Sequence, residues 1–161
     1  MRNNVWLKDR MDFIWSKYFP EIPAGSDIAI LFGQKARTRL GSIKKNRLKG
    51  AVSKITITGY FQDERVPETI IDLTVAHELC HYAHGFSSPL PQLYRFPHQG
   101  NVVDRDLAKK GFAEDLKFQK SWLKEKWPEI VGRPKRRIVY RRKRTKKRTG
   151  IIEDLLNLLG N

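Results

Sequence analysis

Four histidines carry the metal chemistry open to this chain, and two of them stand in His77-Glu78-Leu79-Cys80-His81. Four residues apart on a helix, His77 and His81 project from one face, one turn above the other, and can share a metal ion. Glu78 is turned roughly 100° from His77 at about 3.6 residues per turn, near enough to move a proton on water at the metal without being a ligand. That spacing points to a zinc hydrolase in which ligands and base are separate residues. Five residues with three fixed recur by chance, so the surroundings decide. From Ile70 to Ala83 the apolar residues Ile70, Ile71, Leu73, Val75, Ala76, Leu79, Cys80, Tyr82 and Ala83 leave almost no polar face, as in a helix buried on most sides. Ionisable groups buried there cost on the order of several kcal/mol each when unpaired, and a metal answers that cost. The competing reading is a buried structural His/Glu cluster.

A catalytic zinc takes three protein ligands and leaves a fourth position for water. Cys80 is the single cysteine, which excludes an intrachain disulfide and a cysteine-based zinc ribbon, so any metal rests on histidines. His98 is the expected third ligand. Residues 86–97, with Pro89, Pro91 and Pro97, read as an extended loop that returns the chain to the metal. His84 competes for the role, but on a continuous helix it lies about 10 Å along the axis from His77 at roughly 1.5 Å per residue. It is expected to be a helix-end histidine with partners of its own.

The elements that must position these groups follow from periodicity. Residues 4–19 repeat Leu7, Met11, Ile14, Trp15 and Tyr18 at helical spacing, and Pro20 and Pro23 end that helix. Three strand-like runs come next: Asp27 to Phe32, Thr38 to Ile43, and Lys54 to Phe61, the last alternating Ile55, Ile57 and Phe61 with Thr56, Thr58 and Tyr60. Their short links predict a three-stranded antiparallel sheet. Pro67 and Glu68 open the motif helix, which runs to about His84, and Gly85 suits a left-handed stop. Asn101 to Asp104 can cap a further helix to about Lys110, interrupted at Gly111 and resumed from Phe112 to about Lys126, with Leu107, Leu116, Trp122 and Leu123 on the core. Pro128, Gly132 and Pro134 mark the end of the compact part. The expected class is α+β, in one domain over residues 1–132.

With 161 residues and 40% hydrophobic content, the chain can bury one core and carry an appendage. No run approaches the roughly 20 apolar residues of a membrane span, and Arg2, Lys8, Asp9, Arg10 and Asp12 occupy the region where a signal peptide needs an apolar stretch. The expected compartment is the cytoplasm, at the nucleoid or in the nucleus if the chain is held on DNA. The net charge of +15 is concentrated, since residues 133–148 hold eleven Lys or Arg and no acid around Ile138-Val139-Tyr140. Such a run is a ready polyanion ligand, so Arg133 to Arg148 is expected to be a flexible DNA-binding tail. A solubilising tail, or one that holds a protein or an acidic membrane, is the alternative. The link from Lys44 to Gly50, four basic residues in seven, either touches nucleic acid or forms a solvated hairpin tip. Ile151 to Leu159 has an apolar helical face too short to persist alone, so residues 149–161 are expected to dock as an amphipathic helix.

Taken together, the chain resembles the SprT-like zinc metallopeptidases, the family of the Spartan-type protease domain, over about residues 5–125. Tyr18-Phe19-Pro20, Thr38-Arg39-Leu40-Gly41, Ser53-Lys54-Ile55-Thr56-Ile57, the His77 motif and Pro97-His98-Gln99-Gly100 carry the resemblance. It implies a small zincin-like domain, Zn2+ on His77, His81 and His98, Glu78 as catalytic base, and proteins bound or crosslinked to DNA as substrates, hence a role in DNA repair. The family's cysteine-bearing C-terminal zinc module has no counterpart here, and the basic tail stands in its place. Within this reading, the strand from Lys54 to Phe61 is the sheet edge that aligns an extended peptide, and Tyr94 or Arg95 stabilises the oxyanion. The reading from a different class is a nucleic-acid-binding protein whose metal site is structural or vestigial.

Overall fold

Asn3 starts the first helix, its side-chain oxygen accepting from the Trp6 amide at 2.9 Å. In the computed structural model, which describes residues 1–45 and 52–132, α1 (Asn4–Tyr18) buries Leu7, Met11 and Ile14 along one stripe, as the periodicity requires. The expected basic tail at 133–148, the short helix at 149–161 and most of the 44–50 link lie outside the described residues.

Strands β1 (Ile28–Phe32), β2 (Gly41–Lys45) and β3 (Ser53–Ile57) form one sheet in the order β1-β3-β2. β3 pairs in parallel with β1, Ile28 opposite Ser53, and antiparallel with β2, Gly41 opposite Ile57. The sheet is therefore mixed, and the expectation of three antiparallel strands is corrected. Short links between neighbours favour direct pairing, but the eight residues 33–40 are enough to cross the roughly 9–10 Å over a central strand. Consequently β3, expected at an edge, lies in the middle, and β1 and β2 are the edges, β2 being the one beside the motif helix's Glu78. β3 also ends sooner than its alternation suggests, at Ile57 rather than Phe61. Gly59 opens a short 3-10 turn (Gly59–Gln62) there, and a Cβ on it would stand 2.6 Å from the Gly33 carbonyl oxygen. The second strand begins at Gly41, three residues later than expected.

Ser53, Ile55 and Ile57 of β3 are buried while Lys54 is exposed, so the helices cover one face of the sheet. Both α1 and α2 (Glu68–Ala83) pack on that sheet and on each other. Their register is held by an ion pair between Arg10 and Asp72, whose Nε–Oδ1 bond is 2.9 Å, while Arg2 donates to the Val66 carbonyl at 2.8 Å just before α2 begins. Beyond α2 come a short 3-10 turn (Gln99–Asn101), α3 (Val102–Leu107) and a wide helical turn over Ala108–Phe112, where Gly111 takes φ +100°. The chain continues into α4 (Ala113–Glu125) and α5 (Trp127–Val131). Pro128 thus sits in the first turn of a helix, where its missing N–H is harmless, instead of marking the end of the compact part. Trp127 closes the core, its ring edge-on to Tyr60 and Phe61 and its indole N–H bonded to the Arg37 carbonyl at 2.8 Å. No helix among the described residues is long and apolar enough to cross a membrane.

Candidate metal centre

Helix α2 is buried nearly throughout, from Ile70 to Tyr82, so the groups on it are placed by packing on several sides at once. His77 and His81 meet with their Nε2 atoms 3.1 Å apart. Two imidazoles bound tetrahedrally at about 2.0–2.1 Å hold their nitrogens about 3.3 Å apart, so this separation suits a shared ion. His98 arrives from the loop after α2, with ring centroids 5.4 Å from His77 and 4.6 Å from His81. One nitrogen from each of the three lies within 4.8 Å of the others. The structure therefore brings together the three histidines singled out by type and spacing, and they form a group that could hold a metal ion.

The loop that delivers His98 is fixed at both ends. Gly85 takes φ +84° after the helix, and a Cβ there would run into the backbone of Pro91 and Gln92, so the loop crosses directly against the helix end. Leu93 donates to the His84 carbonyl at 3.0 Å, and Ser53 Oγ donates to the Ser87 carbonyl at 2.5 Å, joining loop to sheet. After His98, Gly100 and Asn101 both turn left-handed at φ +58° and +55°, which starts α3. Asn101 occupies the cap position without a capping side-chain bond, so the cap expected from its residue type is not made.

Burial sets the protonation of the cluster. The His77 imidazole is held down to about 4, chiefly by burial and further by His98, with Asp104 opposing. His81 is pushed to about 3 by burial and by His77, His98 and His84. Both rings are accordingly neutral at pH 7, the form in which an imidazole ligates. His81 Nδ1 is buried with no hydrogen-bond partner among the described residues, and the ring is braced instead by Phe86, edge-on at 6.2 Å, and by His98. The two facing ring nitrogens lie 3.1 Å apart, His98 closes the group from the solvent side, and a cation at their meeting point fits this set of three imidazole donors.

Glu78, 5% exposed, lies beside the group rather than in it, and burial raises its carboxyl to about 7. It faces the first residue of β2: a Cβ at Gly41 would stand 2.6 Å from Glu78 Oε1 and 3.0 Å from Thr74 Cγ2. The edge strand thus approaches the motif helix as closely as a glycine allows. Together Gly41, Ser42, His77, Glu78, His81 and His98 line a cleft of about 380 Å³. Gly41's steric role is absent from any spacing rule, because it depends on how near β2 passes to α2.

His84 is separate. Its Nε2 meets Asp106 Oδ2 at 2.7 Å and Cys80 Sγ at 3.6 Å, and its ring packs edge-on to Tyr94 at 4.9 Å. Cys80, His84 and Asp106 form a second group with ligand-type atoms close together. Burial pushes the Cys80 thiol up to about 12, so it is a neutral packed group, and the His84–Asp106 contact ties the end of α2 to α3. Asp106 carried no signal in the sequence. Tyr94 is engaged with His84, and Arg95 lies over Phe96; neither lines the cleft, so neither is placed for the oxyanion role. No family model, curated protein or solved structure matches the chain.

Proposed function

We propose that the chain is a zinc-dependent metallopeptidase with a zincin-like domain, acting on proteins associated with or crosslinked to DNA. The observation that carries the reading is the convergence of His77, His81 and His98 beside the buried carboxyl of Glu78, on the floor of a cleft bordered by the edge strand β2. The group of three has no fourth protein ligand among the described residues, which supports a catalytic rather than a structural site.

Zinc on the three histidines would supply a Lewis acid for the scissile carbonyl and bring the pKa of water near 7. The chain's own residues do the rest. An extended peptide pairs through its backbone with β2, which passes within contact of Glu78 at Gly41 and so sets the reacting bond over the histidines. Glu78 accepts a proton at a carboxyl oxygen when water attacks and delivers it to the leaving amine. Burial raises its carboxyl to about 7 in the metal-free chain, and a cation at the histidines would draw it lower.

The substrate class is what the resemblance to the SprT-like metallopeptidases implies, and the eleven cations in residues 133–148, a ready polyanion ligand, support the DNA part of it. Cleavage of a DNA-bound protein by the zinc-loaded chain, compared with Glu78→Gln, tests the chemistry. Equal cleavage by the variant removes Glu78 from the mechanism. DNA binding titrated with salt tests the partner, since phosphate contacts make log affinity fall linearly with log salt, whereas a flat response counts against DNA.

A further inference from the structure

A second cavity, of about 470 Å³, adjoins the metal cleft and shares Gly41, His77 and Glu78 with it. Leu40, Leu73 and Leu116 give it apolar walls, and Thr38, Arg39 and Gln119 supply its polar groups. Whatever lies across the reacting centre has an adjacent group at this cavity, because the three shared residues join the two spaces. Among the described residues, the only carboxylate lining it is Glu78, which the proposed chemistry occupies. Arg39 is exposed and takes part in no ion pair with a described carboxylate, although it sits on the link that runs straight into β2.

We infer that this cavity is a specificity subsite for a carboxylate, with Arg39 as its recognition residue; the inference rests on the peptidase reading above. A guanidinium presents a planar fork that matches a carboxylate with two parallel hydrogen bonds, a geometry a lysine cannot reproduce. The leucine walls take the methylene stem of the bound residue, and Thr38 and Gln119 offer further hydrogen-bonding groups. The chemistry has two sources, an acidic side chain next to the cleaved bond or the free carboxylate at a peptide's C-terminus. Arg39 is partly screened by solvent, so its effect is modest: about tenfold in kcat/KM between an acidic and a neutral residue.

The test uses the full chain loaded with zinc and a positional peptide library read by mass spectrometry, in two forms, C-terminally amidated and free. Wild-type protein is expected to enrich Glu or Asp at one position beside the cleaved bond about tenfold. Arg39→Gln is expected to flatten that preference, and Arg39→Glu to turn it toward Lys, with metal content and melting temperature unchanged. Enrichment only in the free-ended library assigns the carboxylate to the chain terminus and supports the subsite equally. Cleavage without an acidic preference, or the same preference in Arg39→Glu, overturns the inference while leaving the peptidase intact. Absence of any cleavage that depends on Glu78 defeats the peptidase reading instead. In that event, binding of labelled Glu and Gln peptides to Glu78→Gln, with and without Arg39→Glu, decides: equal binding of the two peptides overturns the subsite. An effect of Arg39→Glu confined to a short oligonucleotide competitor also overturns it, because the residue then serves phosphate.

Discussion

Replacing Gly41 by alanine is expected to uncouple metal binding from catalysis. The added Cβ would stand 2.6 Å from Glu78 Oε1, 3.1 Å from its Cδ and 3.0 Å from Thr74 Cγ2, where ordinary contact begins at 3.4 Å. The carboxyl must therefore retreat by about 0.8 Å, and a displacement near 1 Å costs on the order of 100-fold in rate when a reacting group is moved. Gly41 lacks the positive φ that would make alanine strained, so the backbone itself tolerates the change. Overpacking costs about 1–3 kcal/mol, and removing a glycine from the unfolded chain returns about 0.4–1 kcal/mol, leaving a net loss of about 1–2 kcal/mol. The three atoms nearest the new one belong to Glu78 and Thr74 and not to a histidine, so zinc stoichiometry is expected to stay at one. Zinc content by elemental analysis, a denaturant melt and steady-state kinetics on one peptide suffice. Because the effect passes through Glu78, Gly41→Ala added to Glu78→Gln should cost almost nothing further in kcat, a non-additivity that a separate structural role would not produce. Wild-type kcat in Gly41→Ala, or full additivity with Glu78→Gln, would refute this reasoning.

Removing His98 should lower zinc affinity by more than about 100-fold, since changes to groups behind metal ligands already cost about 10–100-fold; His84→Ala should keep zinc but lose about 2–4 kcal/mol of stability with its Asp106 contact, and chelator competition plus melts separate the two. In the metal-free protein, Glu78 has a folded pKa of about 7 against its usual 4.5, so the stability it contributes is whole below about pH 4.5 and is lost as pH rises through 7. Metal-free Glu78→Gln should accordingly match wild type at pH 4 and exceed it by about 3 kcal/mol at pH 8, read from denaturation at both pH values. His77 and His81 act in the opposite sense, being held below 6.5, and cost stability as pH falls from 6.5 toward 4 and 3, in wild type and variant alike. Trp127→Ala should cost about 3–5 kcal/mol by denaturation, because the ring is 8% exposed against Tyr60, Phe61 and Trp122; a loss under 1 kcal/mol would place the domain's end before α5.

The parts of the fold set by local periodicity were legible from residue order alone. The stripe of Leu7, Met11 and Ile14 and the apolar run from Ile70 to Tyr82 each imply a helix whatever surrounds them, and both helices are there. The spacing of His77 and His81 likewise fixes a shared face, and the proline-rich loop does return His98 to it. Sheet order was not legible, because pairing partners depend on which strand the 33–40 link passes over, and eight residues permit either course. The end of β3 was hidden for a related reason: Thr58 and Tyr60 keep the alternation going, while the turn is imposed by the close approach of Gly59 to the Gly33 carbonyl. Pro128 misled because proline stops a helix from inside and starts one from its first turn, and only the burial of Trp127 separates the two cases.

That last helix also ties the 33–40 link to the end of the described residues. Arg37 donates to the carbonyls of Val131 and Gly132, and its own carbonyl accepts from Trp127, so the 33–40 link and the end of α5 form one fastened unit. The same link carries Arg39 and Leu40 into Gly41 and the cleft. Gly132, the last described residue before the basic run of the sequence, is therefore fastened to Arg37, two residues from Arg39. Under the proposed function, a protein fixed to a polyanion that residues 133–148 hold would be kept within reach of the cleft, and the gain in effective concentration would need no contact between those residues and the three histidines. Under the proposed function, selection of the target by residues 133–148 and selection of the bond by the cleft are separable, and among the described residues the anchorage of Val131 and Gly132 at Arg37 is what links the two.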